Sequence, residues 1–586
     1  MISKKKLLQF FESHKKRKYK VAELQKHLSQ KKSQRRALRA MLSELQDEGR
    51  IHKFKGGRYG LIRSEDILTG KISIARKGYG FLRPDVPDGE EKPPPDVFIK
   101  QRNLKGAMYG DRAAVVILMR EGDRSEGRVL RIIKRARTEL IGQFHYERRG
   151  GVVIPRDRKI DRIVYVPRTS KIKNLGNGAW ALVKIEDYGD GRQPMIGEII
   201  DVIGYDEEKG IDILLIIRDY GVKPEFPDDI IEEAEKLSLD ISDEEIAKRK
   251  DLRDQITFTI DPETAKDFDD ALSIRKLDNG MFRLGVHIAD VAHYVRPGSL
   301  VDEEAFKRAT SIYPVDRVIP MLPEHLSNKL CSLRPEEDRL TMSVFMDIDD
   351  QGKVHHSEFY NSVIHSRFRL NYNEVQSIFD HSAPWLSAQY SDITEPLMQL
   401  KKLSEILIGM RGRKGALDLD VGETEVIFDS QGRVIDLTRH SRFASHRLVE
   451  QCMILANEAV ASKMSRVHAP SLYRIHEPPS QDKLHSLVPF LEGFGIRLPR
   501  KRNITSQRLQ KALDQTERLG DAGPIVRKVI LRAMMRAKYS PENLGHYGLG
   551  SSCYTHFTSP IRRYPDLVVH RILKEVIAGN HKDPSR

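Results

Sequence analysis

The sequence predicts a multidomain chain: a small basic α+β module, two β-barrels and a large α+β unit. Three observations carry this reading. At 586 residues the chain is too long for one hydrophobic core, which favours roughly three to five domains. Its 39% hydrophobic content supports globular packing. Charge is unevenly placed: residues 1–63 hold 19 Lys and Arg against 5 Asp and Glu, so most of the net charge of +15 sits there. A basic head on a balanced body fits attachment to a polyanion, with nucleic acid first.

Residues 1–63 form the basic module. Lys4–Lys6 and Lys15–Lys20 read best as a solvated leader. Beyond them, Val21, Leu24 and Leu28 suit one amphipathic helix. Arg35–Leu45 suits a second, with Leu38, Leu42 and Leu45 on one stripe and arginines opposite. Gly49 is a C-cap, and residues 51–62 fold back through Lys55-Gly56-Gly57-Arg58 as a hairpin. Helices followed by such a wing make a winged helix. The wing usually contacts nucleic acid; protein contact is the alternative.

Residues 64–136 are the first barrel. Lys77-Gly78-Tyr79-Gly80-Phe81-Leu82 sets Tyr79 and Phe81 on one face of a strand, and Phe98 in Asp96-Val97-Phe98-Ile99 adds a third ring. Aromatic residues in strands are more often core. Here Lys77 and the glycines, which let a base approach closely, favour an exposed platform worth about 1–3 kcal/mol per stacked base. The two segments resemble the paired RNA-binding motifs of cold-shock domains, barrels of the OB type. The acidic, proline-rich stretch Asp85–Pro95 is a loop. Residues 137–215 repeat the rhythm more weakly, with strands expected at 142–144, 151–154, 179–185 and 197–203, and give a second OB barrel. Residues 216–252 read as a linker.

The large unit spans 253–586 and opens on the strongest chemical signal in the chain. Four aspartates, Asp261, Asp267, Asp269 and Asp270, fall within ten residues. Carboxylates this close repel one another, and burying them unpaired is costly. Ile256, Phe258 and Ile260 alternate before the run and Ala271, Leu272 and Ile274 follow it, so it lies between two strands at the edge of a core. A hard cation is the chemistry that suits such a set. Magnesium prefers carboxylate oxygens, and two ions about 4 Å apart can hold the attacking and leaving oxygens of a phosphodiester. The plain alternative is an acidic surface loop. An EF-hand is disfavoured, because the loop glycine and terminal glutamate are missing. Further on, Leu277-Asp278-Asn279-Gly280 is a hairpin turn, and helices are expected over much of 398–410, 445–465, 480–494 and 507–538.

The loop does not stand alone. Ser311-Ile312-Tyr313-Pro314 and Val318-Ile319-Pro320-Met321-Leu322-Pro323 follow it. Near the end come Ala537-Lys538-Tyr539-Ser540-Pro541, Gly545-His546-Tyr547-Gly548-Leu549-Gly550 and Tyr554-Thr555-His556-Phe557-Thr558-Ser559-Pro560-Ile561-Arg562-Arg563-Tyr564-Pro565-Asp566. In this order the segments resemble the catalytic domain of the ribonuclease II/R exoribonucleases. With the basic winged helix and two cold-shock barrels in front, the whole chain is most similar to the ribonuclease R subfamily. The resemblance implies a processive, magnesium-dependent 3′→5′ hydrolytic exoribonuclease that threads single-stranded RNA and releases nucleoside 5′-monophosphates; manganese is the alternative ion.

Carried over residue by residue, the resemblance gives Asp261, Asp267, Asp269 and Asp270 to the metals, with Asp269 the most rate-critical. Tyr313 stacks on the terminal base. Arg562 braces the phosphate charge, after a helix start expected at Ser559-Pro560. The plain alternative for Arg562 is a helix-surface ion pair with Asp566. Arg563 serves either role. Glu450, on an otherwise apolar helix, is placed near the terminal nucleotide; its plain alternative is an ion pair with an arginine.

In one place the chain departs from the family pattern. Relatives usually continue into a third OB-type RNA-binding domain, whereas this sequence stops at Arg586, soon after a helix expected at Pro565–Ala578. Hydrolysis is expected to survive, since every catalytic motif is present; affinity, processivity and attack on structured RNA are what the missing domain would serve. Three alternatives stand beside this reading: a non-catalytic RNA-binding protein, a metal-dependent DNA exonuclease and a ribosome-associated factor. A monomer is the default expectation. Cys331, Cys452 and Cys553 lack metal-ligand spacing and read as thiols, which fits a cytoplasmic location. No apolar run approaches the ~20 residues that span a bilayer.

Overall fold

The computed structural model describes residues 3–580 apart from 15–16, 30, 48, 55, 63–65, 76, 87–92, 123, 169–174, 190–192, 316, 419–423, 430–433, 440–441 and 499–503. The chain divides into two compact units, Met1–Lys223 and Pro224–Arg586.

The first unit begins with helix α1 (Lys4–Ser13), strand β1 (Tyr19–Lys20) and helices α2 (Val21–His27) and α3 (Arg35–Asp47). Strands β2 (Ile51–Phe54) and β3 (Arg58–Leu61) complete a sheet of order β1-β3-β2. The turn between β2 and β3 holds Gly56 and Gly57 at φ +78° and +70°, which glycine adopts without steric cost. Residues 4–13 are not the solvated leader expected for Lys4–Lys6. Leu7 and Phe11, one helical turn apart, are fully buried against Leu24, Leu38, Leu42 and Ile51, so the lysines ride on the outer side of a helix that closes the module.

Strands β4 (Ile67–Ile74), β5 (Gly80–Pro84), β6 (Val97–Ile99), β7 (Arg112–Glu121) and β8 (Arg124–Lys134) form a closed barrel of order β4-β5-β6-β8-β7, with β6 and β8 parallel. Strands β9 (Glu139–Glu147), β10 (Gly150–Pro155), β11 (Val164–Pro167), β12 (Trp180–Asp187) and β13 (Met195–Gly204) repeat it as β9-β10-β11-β13-β12, with β11 and β13 parallel. The shared topology is that of the OB barrel. Each has its own core, Leu82, Val97 and Val115 in one and Phe144, Val153 and Val183 in the other. Helix α4 (Ile211–Asp219) lays Ile211 and Leu215 on Ile141 of the second barrel.

Residues 216–252 are not one linker. They begin in α4, and from Pro224 onward the chain belongs to the second unit. There α5 (Asp228–Glu235) buries Ile230 and Ala234, and α6 (Asp243–Ala247) leads into the short strand β14 (Lys250–Asp251). The mixed charge that suggests a solvated linker is instead paired. Arg249 reaches Glu245 at 2.7 Å and the fully buried Asp290 at 2.8 Å.

The second unit is built on a sheet of order β14-β19-β18-β17-β16-β15-β20. Its strands are β15 (Phe258–Asp261), β16 (Asp270–Lys276), β17 (Phe282–Ala289), β18 (Asp338–Ile348), β19 (Val354–His365) and β20 (Phe368–Asn371). Helices α7 (Val291–Tyr294) and α8 (Leu300–Arg308) lie between β17 and β18 in sequence. After β20 come α9 (Tyr372–Phe379), α10 (Pro384–Gln389), α11 (Ser391–Lys414), the hairpin of β21 (Thr424–Phe428) and β22 (Val434–Arg439), and α12 (Ala444–Arg466). The chain ends with β23 (Tyr473–Ile475), α13 (Gln481–Glu492), α14 (Ser506–Gln515), α15 (Gly523–Ala533), β24 (Lys538–Ser540) and α16 (Tyr564–Ile577).

One face of the sheet, with Leu272, Val286 and Val344, packs on Leu403 of α11, Leu455 of α12 and Val569 of α16. Because side chains alternate along a strand, the other face carries the intervening polar residues. They satisfy one another in a ladder: Ser273 Oγ to His287 Nε2 at 2.9 Å, His287 Nδ1 to Ser343 Oγ at 2.6 Å, and Ser343 Oγ to Ser362 Oγ at 2.6 Å. Among the described residues no helix is long and apolar enough to cross a membrane.

Candidate active site

Antiparallel pairing of β15 and β16 puts the end of one strand beside the start of the next. Asp261 closes β15 and Asp270 opens β16, so the two carboxylates meet at one edge of the sheet, with Asp267 and Asp269 on the loop between. The loop is held from both sides. Ser332 Oγ accepts the Phe268 N–H at 3.0 Å and donates to the Lys266 carbonyl at 2.8 Å. Arg369 donates to the carbonyls of Pro262 and Glu263 at 3.1 and 2.6 Å. The Ala289 N–H donates to the Asp269 carbonyl at 2.9 Å, tying the loop to β17. Asp261, Asp267, Asp269, Asp270, Tyr313 and Arg562 all line one cavity of about 550 Å³.

Electrostatically the site is under load. Burial raises the Asp269 carboxyl well above the ordinary value, against the pull of Arg562 and the Ile561 N–H. Burial and then the neighbouring Asp261 raise Asp270. Asp261 is raised by burial, opposed by Arg369, with Asp269 and Asp267 adding repulsion. Asp261 Oδ2 is a buried oxygen with no hydrogen-bond partner. A set of hard oxygens that repel one another, one of them orphaned, fits a divalent cation. Among the described residues no three acidic, His or Cys side chains converge as a ready-made cage. Magnesium does not require one, since it is typically held by one or two carboxylates, water and substrate phosphates.

Tyr313 is 52% exposed, and its hydroxyl donates to Asp267 at 3.4 Å. Its segment is fixed by reciprocal backbone bonds between Ile312 and Ile319, both 2.9 Å. Burial and the Asp267 charge push the phenol up to about 12, so it stays neutral.

The two arginines behave differently from the sequence expectation. Helix α16 begins at Tyr564, with Pro565 in its first turn, not at Ser559-Pro560. Residues 559–563 form a turn, because the Arg562 carbonyl is occupied by the Ser311 N–H at 2.9 Å and the Thr310 hydroxyl at 3.0 Å. Arg562 points to the cavity, with Nε 3.5 Å from Asp269 Oδ2 and its side chain 45% exposed. The ion pair to Asp566 belongs to Arg563 at 2.7 Å, and it is internal, since Asp566 is fully buried. Glu450 pairs with Arg442 and does not line the cavity.

Sequence reasoning missed three contributors. Tyr372 lines the cavity and stacks on His446, ring centroids 4.0 Å apart. Its place after the helix cap Asn371 marks a helix start, and nothing local marks a site. The Ile561 backbone N–H donates to Asp269 Oδ1 at 2.9 Å, a contact across 292 residues that no side-chain pattern could carry. Asp566 appeared only as a surface partner for Arg562.

In the first unit, the three expected rings do come together. Phe81 of β5 lies directly opposite Phe98 of β6, centroids 5.7 Å apart, and Tyr79 sits 5.8 and 5.5 Å from them. All three are half-buried and lie outside the barrel core, which Leu82, Val97 and Ile99 fill from the opposite face. Lys77 beside them is exposed.

Comparison with known proteins finds three domain matches along the chain. The sequence matches the RNB domain over residues 249–579, the Ribonuclease B OB domain over 70–132 and the cold shock domain over 153–227. It is 38% identical to ribonuclease R of Aquifex aeolicus, across 97% of this chain and 79% of that protein. It is 39% identical to ribonuclease R of Thermotoga maritima, across 94% of this chain and 76% of that one. The structure is similar to Mycoplasma genitalium RNase R in complex with ribose-methylated single-stranded RNA, with a TM-score of 0.80 at 30% identity, covering 88% of this chain and 81% of that one. Yeast Ssd1, a pseudonuclease, shares the fold at 19% identity with a TM-score of 0.63. The chain therefore belongs to the ribonuclease II/R family of 3′→5′ exoribonucleases, and within it to the relatives of ribonuclease R.

Proposed function

We propose that the protein degrades single-stranded RNA processively from its 3′ end, releasing nucleoside 5′-monophosphates, with a role in RNA turnover and quality control. The observation that carries this reading is the gathering of Asp261, Asp267, Asp269, Asp270, Tyr313 and Arg562 around one cavity. In the reaction, a water oxygen bonds to the last phosphorus, the bond from phosphorus to the preceding O3′ breaks, and the shortened RNA keeps a 3′-hydroxyl. Two magnesium ions, or manganese in their place, held by the four aspartates, would ease deprotonation of the water and spread charge from the phosphate. Arg562 places its guanidinium where the phosphate oxygens gather charge. Asp269, fixed by the Ile561 N–H, keeps Arg562 aimed. Tyr313 offers a half-exposed ring on which the terminal base stacks, with its hydroxyl anchored on Asp267.

The first barrel holds the strand by stacking bases on Tyr79, Phe81 and Phe98, with Lys77 on the phosphates. The N-terminal module is a winged helix whose basic surface adds sequence-independent attraction to RNA. Of the other expected RNA contacts, Glu450 is engaged by Arg442 outside the cavity lining and Arg563 is engaged by Asp566. The protein works as a cytoplasmic monomer, and its basic module could also serve ribosomes.

A second reading, a non-catalytic RNA-binding protein, has one observation behind it: the fold is shared with a pseudonuclease. The intact carboxylate set and Arg562 favour the first. The deciding experiment incubates the protein and its Asp269→Asn variant with 5′-labelled single-stranded RNA and magnesium, beside DNA of the same sequence. Stepwise shortening of RNA alone, by the wild type alone, is expected. RNA that is bound but left whole would establish the second reading, and equal shortening of DNA would move the assignment to a general exonuclease.

A further inference from the structure

We infer that Asp566 is a positioning residue for the exonuclease reaction: it clamps the turn 559–563 so that the Ile561 N–H and the Arg562 guanidinium meet Asp269, and Arg563 serves this clamp instead of contacting RNA. The inference rests on the acidic cavity being the reaction centre.

The contacts run in one direct line. Asp566 Oδ1 accepts the Ser559 N–H at 2.9 Å, at the start of the turn. The same oxygen accepts Arg563 Nη2 at 2.7 Å, at its end. One carboxylate oxygen therefore ties both ends of the turn together. Inside it, the Arg562 and Arg563 N–H groups reach the Ser559 carbonyl at 3.3 and 3.0 Å, and Arg562 Nη2 donates to Ser559 Oγ at 3.1 Å. The two groups that the turn delivers to the cavity are the Ile561 N–H, 2.9 Å from Asp269 Oδ1, and Arg562 Nε, 3.5 Å from Asp269 Oδ2. Each oxygen of Asp269 thus takes its partner from the segment that Asp566 closes.

The plain role for an acid in the first turn of a helix is to complement the helix dipole, and a solvated carboxylate does that. Asp566 is fully buried. A buried carboxylate is tolerated only when paired and hydrogen-bonded, and replacing such a pair by apolar residues often leaves stability unchanged or improved. The Asp566–Arg563 pair is also engaged at one point only: Asp566 Oδ2 and Arg563 Nε are buried without hydrogen-bond partners. A pair selected for strength alone favours the two-point, fork-to-carboxylate geometry. What this arrangement optimises is the shape of the turn. Arg562, next in sequence, is half-exposed to the cavity, whereas Arg563 is turned inward with 22% of its side chain exposed.

The test compares Asp566→Ala, which removes the accepting oxygen, with wild type by steady-state kinetics on single-stranded RNA, by thermal unfolding and by amide exchange at Ile561. Loss of the clamp should lower kcat about 30- to 100-fold, the scale of an ångström-sized misplacement of catalytic groups. KM should change by less than about 3-fold, because the stacking contacts that hold RNA are untouched and Arg562 acts on charge that develops in the reaction. The Ile561 amide should exchange at least about 10-fold faster, as its acceptor moves away. Combined with Arg562→Lys, the variant should lose little beyond Arg562→Lys alone, since both act on one unit. A rise in KM with kcat preserved would assign Arg563 to RNA contact and overturn the clamp. So would an unchanged kcat with Ile561 still protected, or multiplicative losses in the double variant. If Asp566→Ala does not fold, Arg563→Gln carries the same readouts. Wild-type protein that leaves RNA whole would sink the catalytic reading, while Ile561 exchange would still decide the clamp.

Discussion

The acidic cavity and the aromatic face of the first barrel are built on opposite principles. The cavity gathers carboxylates that repel one another and holds them with backbone and arginine contacts from distant segments: Ala289, Ser332, Arg369 and Ile561. The aromatic face needs almost none of this. Tyr79, Phe81 and Phe98 stand on neighbouring strands of one small barrel and touch one another through ring edges. Stacking on bases tolerates small displacements, because every base presents a flat face. Phosphodiester chemistry does not, because the reacting atoms must be aligned closely. On the proposed function, a local sheet suffices for holding RNA, whereas cutting it requires elements from both ends of the catalytic unit.

That contrast can be broken by experiment. The largest effect belongs to Asp269→Asn. Cleavage should fall by at least about 10²–10³-fold, the scale for losing one preorganised group, while RNA binding is retained. A parallel loss of binding would merge the two regions into one. Next is Tyr79→Ala. Losing one stacking ring should weaken single-stranded RNA binding roughly 5- to 150-fold, from about 1–3 kcal/mol per base, without lowering kcat at saturating RNA. A fall in kcat would show that the barrel also aligns the reacting end. Deleting residues 1–63 should come third, flattening the dependence of RNA affinity on salt, measured between 50 and 200 mM (about the range used for counterion release). An unchanged slope would remove the basic module from the RNA.

The smallest effect is on stability. The carboxyls of Asp261, Asp269 and Asp270 are raised in the folded protein above the ordinary value near 3.8. Their contribution to stability is therefore full below about pH 4 and is lost as pH rises through the raised values. Asp261→Asn should raise the Tm of the metal-free protein by about 1–3 °C at pH 8 and by less at pH 5. Added magnesium should stabilise the wild type more than the variant. A variant that melts lower at pH 8 would show that Asp261 is held by contacts and not strained by its neighbours. The aromatic triad contains no carboxyl, so its binding should be flat over the same range.

A shared fold does not decide between cutting and holding. Ssd1 keeps this architecture as a pseudonuclease, so the assignment rests on the residues that line the cavity. The two OB barrels teach the same lesson within one chain. They have the same strand order, yet the aromatic triad is on the first alone among the described residues, and the second spends Phe144 on its core.

Much of this was legible in the residues themselves. Alternating apolar positions located β15 and β16 on either side of the aspartates, because a period of two is a local property of strands. The glycines of the β2–β3 turn declared themselves for the same reason. The triad of Tyr79, Phe81 and Phe98 was visible because a pleated strand sends alternate side chains to one face. Where charge was read locally, the reading failed. Residues 216–252 read as a linker, yet Arg249 pairs with the buried Asp290, and Lys4–Lys6 read as a leader, yet Leu7 and Phe11 beside them are buried. Ser559-Pro560 resembled a helix start, but the carbonyl of Arg562 had been taken by Ser311, 251 positions earlier. The sequence by itself determined which groups are present and which strands carry them, since propensity and periodicity act over a few residues. Only the tertiary structure decided which arginine faces the cavity and which closes the turn, because burial and hydrogen-bond partners are set by segments hundreds of residues apart.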